Sequence, residues 1–118
     1  MFVRNIKEFK KKTNKKKIIC LDCGKKKVGI AISDENHKIS MPMETLVRNL
    51  EFYKNIIKII NDYNIGGILV GLPLGEEKKI NKMSQSIIDT TKNLDNHLNR
   101  SKLNIPFFFW DENYTSIE

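Results

Sequence analysis

The apolar positions of this 118-residue chain change their spacing several times, and each change marks an element. Ile18-Ile19-Cys20-Leu21 is a short run rich in β-branched residues. Val28-Gly29-Ile30-Ala31-Ile32 is a second, with Gly24 and three lysines between them. Two such runs around a glycine-containing turn predict a β-hairpin. Residues 37–47 are interrupted by Pro42, which predicts a third strand at the edge of a sheet, since proline cannot donate to a central ladder. Residues 50–63 set Tyr53, Ile56, Ile57, Ile60 and Tyr63 at helical spacing, with Asn64 and Gly66 as stop signals. Gly67 to Gly71 is apolar throughout, the pattern of a strand covered on both faces in a parallel sheet. Residues 80–98 carry a second helical stripe, Ile80, Met83, Ile87, Thr91, Leu94 and Leu98, which reads as core packing. Pro106 to Trp110 predicts a fifth strand, after which Thr115 or Ser116 is placed to cap a helix that the sequence barely begins. The expected order is β-β-β-α-β-α-β-(α) with the last helix truncated. Strands four and five each follow a helical crossover, which implies right-handed parallel units joined to an antiparallel hairpin: an α/β domain built on a mixed sheet.

Composition changes this picture at one end only. The formal charge of +7 is concentrated in residues 1–17, which hold eight basic side chains against one acid; the other 101 residues hold 13 of each. The reading is therefore a basic N-terminal arm, residues 1–17, attached to a neutral domain, residues 18–118. Such an arm grips phosphates through counterion release or stands as a solvated terminus, and Lys15, Lys16 and Lys17 are its candidates for nucleic-acid binding. Cys20 and Cys23 spell C-x-x-C but fall in one strand, without the helix start of a redox pair or the further ligands of a zinc site, so they read as reduced thiols in a cytoplasmic protein. No apolar run reaches the length of a membrane span, and no membrane partner is expected.

The chemistry centres on a lone acid. Asp22 ends the first strand, where a carboxylate is costly unless it is paired, hydrogen-bonded or bound to a cation. An Asp capping its own turn is the plainer account. The fifth strand also ends in acids, Asp111 and Glu112, and function collects at the carboxyl ends of strands in open α/β sheets. Acids brought together there are tolerated when a divalent cation neutralises them. Mg²⁺ held by one or two carboxylates and phosphate oxygens is a usual arrangement for phosphodiester cleavage. Lys25, Lys26 and Lys27 lie beside these acids, where they could meet phosphates or simply solvate a turn.

Asp22-x-Gly24-x-x-Lys27-x-Gly29-x-Ala31, then Val70-Gly71-Leu72-Pro73-Leu74, then Asp111-Glu112-x-x-Thr115-Ser116-x-Glu118 resemble the YqgF family of RuvX-type, Holliday-junction-resolvase-like proteins. The resemblance runs from about residue 17 to the last. It implies an RNase H-like fold, a cytoplasmic location, Mg²⁺- or Mn²⁺-dependent nuclease chemistry, and maturation of the 5′ end of pre-16S rRNA on ribosomal particles, with branched DNA as another substrate. The family's first acid falls on Asp22 and its second within the pair Asp111 and Glu112, so the implied catalytic and metal-binding residues are Asp22, Asp111 and Glu112. Lys27 matches a basic position of the family, and Lys25 is grouped with it for nucleic-acid binding.

The chain differs where the family has Asp-Glu-Arg, reading Asp111-Glu112-Asn113, and its glycine after Leu74 comes early, at Gly75. The family takes a third acid from a C-terminal helix beyond Glu118. The expectation is therefore a fragment, a degenerate copy, or a site completed by another subunit. The other reading of the same fold is a nucleic-acid- or ribosome-binding domain without catalysis. A phosphotransferase of the actin and sugar-kinase type, which also uses Asp-x-Gly in a first hairpin, needs a second domain that 118 residues cannot hold. The aromatic run Phe107 to Trp110 reads as core, and His37 and His97 as surface residues.

Overall fold

The computed structural model describes residues 1–38, 40–73 and 81–111. Five strands, β1 (Lys17–Cys23), β2 (Lys27–Ser33), β3 (Ser40–Val47), β4 (Ile65–Leu72) and β5 (Phe107–Asp111), form one sheet in the order β3-β2-β1-β4-β5. β1 pairs antiparallel with β2 and parallel with β4; β2 and β3 are antiparallel, and β4 and β5 parallel. β3 lies outermost, as Pro42 requires. The expectations at Leu74, Gly75, Ile80, Glu112, Asn113, Thr115, Ser116 and Glu118 lie outside the described residues.

Helices α2 (Glu51–Tyr63) and α3 (Lys82–Arg100) fill the two parallel crossovers and cover one face. α2 stops at Asn64, whose left-handed conformation (φ 54°) lets its amide bond the Ile60 carbonyl; asparagine is one of the few side chains that take this geometry readily. α3 starts at Asn81, whose side chain accepts from the Ser84 amide at 2.8 Å. Asn81 Nδ2 and Ser84 Oγ both donate to the Pro73 carbonyl, tying the start of α3 to the end of β4. Against these helices β1, β2, β4 and β5 turn Ile19, Leu21, Val28, Ile30, Ile68, Val70 and Phe107, all buried. Ile56, Ile87, Leu94 and Leu98 meet them from the helices and are fully buried, each contributing about 1.5–3 kcal/mol. On α2 the buried set is Phe52, Ile56, Ile59 and Ile60, while Tyr63 is exposed, so the face is rotated from the one the stripe of tyrosines suggests.

From Val3 onward the basic N-terminal segment folds onto the opposite face. Residues Ile6–Lys12 form a helix, α1, capped by Asn5, with Glu8 in its first turn and lysines in its last, the polarity that suits the helix dipole. Phe9 and the following Thr13 are buried against the sheet with Val3 and Ile18, and the Thr13 hydroxyl is satisfied by the Phe9 carbonyl at 2.8 Å. β4 makes room for them at Gly67: a Cβ there would come within 2.4 Å of Thr13 Cγ2 and 3.1 Å of Phe9 Cζ. Further back, Phe2 bridges in parallel to Phe107 of β5, with hydrogen bonds from the Val3 amide to the Phe107 carbonyl and from the Phe107 amide to the Met1 carbonyl. The segment set apart by its charge is thus part of the packed fold. Of its few apolar residues Val3 and Phe9 are buried.

Candidate active site

The pairing register decides which side chains share the α1 face. Along β1 the residues turned to the two long helices are Ile19, Leu21 and Cys23; those turned to α1 are Ile18, Cys20 and Asp22. α1 covers only the beginning of this face, over Ile18, Gly67 and Phe108. At the other end Asp22 stands exposed between two glycines, Gly29 of β2 and Gly71 of β4, each directly in register with it. Beyond Gly71, on β5, comes Trp110. These residues, with Cys20, Ala31 and Leu69, line an open depression of about 430 Å³.

This answers why an acid can end a buried strand. Among the described residues no helix covers Asp22's end of the sheet, and its carboxylate is exposed there, where a charge is far less costly than in the core. Two flanking glycines leave a floor of bare backbone beside the carboxylate, on which an extended ligand can lie close.

The other candidates are distributed unevenly around it. Asp111 is in register with Leu72, a core residue of the α2/α3 face, and follows Phe107 and Phe109 on that side of β5. Asp22 and Asp111 therefore end neighbouring parts of the sheet on opposite faces, and do not face each other across it. Glu112 lies outside the described residues. Lys25 and Lys27 are exposed at the β1–β2 turn, at Asp22's end of the strand. The turn is closed by the Gly24 amide to the Lys27 carbonyl at 2.7 Å. Lys15, Lys16 and Lys17 lie at the opposite end of β1, five residues or about 16 Å from Asp22 along the strand. There Lys17 Nζ sits 6.0 Å from the Tyr63 ring centroid, and the Lys16 carbonyl accepts from His37 Nε2 at 2.8 Å. Among the described residues no three His, Cys, Asp or Glu side chains converge as a metal cluster.

Cys20 and Cys23 fall on opposite faces, which excludes a chelating or disulfide pair within the strand. Burial pushes the Cys20 thiol up from its ordinary value, so it lines the depression as an apolar side chain rather than a nucleophile.

Sequence reasoning passed over Arg48. It follows β3, and its guanidinium donates to the Gly24 carbonyl from Nη1 and to Ser86 Oγ and Thr90 Oγ1 from Nη2, each at 2.8 Å. The turn that carries Lys25 and Lys27 is thereby fastened to α3. A single arginine ending a strand gives no sequence signal for such a role; the pair of hydroxyls four apart on α3 that receives it becomes meaningful only in three dimensions.

Residues 16–118 match the family described as RuvX, Holliday junction resolvase. The chain belongs to the RuvX family. Relatives named "Putative pre-16S rRNA nuclease" include that of Pelagibacter ubique, 34% identical over 95% of this chain and 73% of the relative. Another, from Orientia tsutsugamushi, is 37% identical over 98% of this chain and 72% of the relative. Among solved structures, RuvC of T. thermophilus in complex with a Holliday junction substrate superposes with a TM-score of 0.58 at 6% identity, over 82% of this chain and 65% of RuvC. At that identity the likeness is one of fold. It is the mixed sheet that the order of elements predicts and the RNase H-like fold that the family resemblance implies. No helix among the described residues is long and apolar enough to cross a membrane.

Proposed function

We propose that this RuvX-family chain is a phosphodiester hydrolase that acts in the cytoplasm on the 5′ end of pre-16S rRNA, with Asp22 organising the reaction. The observation that carries this reading is the placement of Asp22: an exposed carboxylate at the end of a central strand, beyond the part of the sheet that α1 covers, between two glycines in register. Family membership and the names of the relatives support the substrate class.

The donor chemistry fits Mg²⁺ or Mn²⁺, which take hard carboxylate oxygens and keep open positions for water and phosphate. Asp22 and Glu112 would hold the ion. Asp111 is the weaker candidate of its pair because its register places it on the face of α2 and α3. A bound ion would act there as a Lewis acid on a phosphate oxygen. The chain's own residues do the rest. Gly29 and Gly71 admit the sugar-phosphate backbone close to Asp22. Lys25 and Lys27, held by Arg48, contact phosphates beside the scissile one. Lys15, Lys16 and Lys17 reach phosphates further along the strand of RNA.

A second reading, a nucleic-acid- or ribosome-binding domain without catalysis, is favoured by one observation: among the described residues Asp22 is the sole acid of its face at this end of the sheet. The experiment that separates them incubates the purified protein with a 5′-extended pre-16S RNA fragment in Mg²⁺ or Mn²⁺. Cleavage should fall at least about 10²-fold in Asp22→Asn and vanish in EDTA. Undiminished cleavage by Asp22→Asn would exclude the proposed site. RNA binding without cleavage by the wild-type protein would select the second reading.

A further inference from the structure

Among the described residues, the end of this face beyond α1 holds one large side chain that the hydrolytic chemistry does not use. Trp110 is half-buried, in register with Gly71, and lines the same depression as Asp22. With neighbouring strands about 4.8 Å apart, the backbones of Asp22 and Trp110 are separated by roughly 10 Å across Gly71. Phe108, two residues earlier on the same face, is covered by Phe9 at 5.7 Å between ring centroids. Among the described residues no aromatic ring covers Trp110, and the glycine beside it takes away the side chain that would wall it from Asp22.

We propose that Trp110 is a stacking platform for an unpaired base of the nucleic acid whose phosphate lies at Asp22. The inference rests on the nuclease reading for the place of the phosphate and goes beyond it in naming what holds the adjoining nucleotide. Charge identifies the occupant. Lys7, Lys10, Lys11 and Lys12 are exposed on α1 over the beginning of this face, and Lys25 and Lys27 stand at its other end. A polyanion held between the two groups passes the depression, where its bases meet an indole. Every base offers a π-face, so the contact orients a nucleotide without reading its identity. A tryptophan already seated in the sheet loses little freedom on binding, which makes it suited to positioning a strand for cleavage.

Trp110 is the chain's only tryptophan, so its emission reports on this ring alone. The test titrates the full chain in EDTA with single-stranded RNA, following tryptophan emission and, in parallel, the anisotropy of a dye on the RNA. The emission should be quenched along the same curve as the anisotropy. Trp110→Ala should bind about 5- to 150-fold more weakly, and Trp110→Phe should keep most of the affinity. DNA of the same sequence should quench as well, because stacking does not involve the 2′-hydroxyl. Unchanged emission at RNA saturation, or an affinity of folded Trp110→Ala within about twofold of wild type, overturns the proposal. If Trp110→Ala does not fold, the quench and the Phe variant decide it. Since nothing is cleaved in EDTA, an Asp22→Asn protein that still cleaves would strike the nuclease reading and leave the quench standing. Cleavage that depends on Asp22 without any quench would strike the stacking alone.

Discussion

One face of the sheet carries helices of 13 and 19 residues and closes over the larger set of fully buried aliphatic side chains; on the other, among the described residues, a helix of seven covers only the beginning. The same five strands serve both. β1 sends Ile19, Leu21 and Cys23 to the first face and Ile18, Cys20 and Asp22 to the second, so the two faces alternate residue by residue along one strand. The difference teaches where an RNase H-like sheet can carry a charged group: on the face whose covering stops short. Completing that covering would cost Asp22 its solvent, and thinning the other face would cost the fold.

The comparison breaks most easily at the covered face. Leu94→Ala, in the middle of α3 and fully buried, should lower stability by about 2–5 kcal/mol in urea denaturation, more than Gly67→Ala on the α1 face. A smaller loss there than at Gly67 would reverse the assignment of the two faces. Gly67→Ala drives a methyl into Thr13 and Phe9, both buried, and should cost about 1–3 kcal/mol, with faster amide exchange in α1 than in α2 or α3. The smallest effect concerns charge without folding. Lys10→Gln with Lys11→Gln should weaken RNA binding and reduce the slope of log affinity against log salt by about 0.7–0.9 for each lysine that touches a phosphate. Lys54→Gln with Lys58→Gln, exposed on α2 over the other face, should leave that slope as it was. Equal slopes for the two pairs would mean that the nucleic acid does not distinguish the faces.

Most of the fold was legible because the strands and the two long helices are written in apolar period. Short β-branched runs gave β1, β2 and β4, Pro42 gave the outer position of β3, and the stripe Ile87, Thr91, Leu94 and Leu98 gave the buried side of α3. α1 was hidden because a helix of seven residues that buries only Phe9 has almost no periodic signal, and its lysines dominate the composition. The rotation of α2 was missed because tyrosine counts as apolar in a stripe while its ring can remain in water, as Tyr63 does. At the site, Asp22 was legible as a charge out of place. The separation of Asp111 from it was not, since face depends on register, and register is fixed by pairing between strands far apart in sequence. Trp110 belongs to a run that reads as core, and the end of α1's cover is what sets it apart from Phe108.

The short pairing of residues 1–3 with Phe107 has a consequence for how this molecule behaves in a crowded solution. β5 is the outermost strand on its side, and its sequence, Phe107-Phe108-Phe109-Trp110, is an open invitation to another chain's backbone. The hydrogen bonds of Met1 and Val3 to Phe107 occupy the head of that strand, and the charged helix that follows carries like charge into any approach of a second copy. The N-terminal segment thus bears on the isolated protein and not on its ligands alone: it occupies the head of an apolar outer strand and sets like charge beside it.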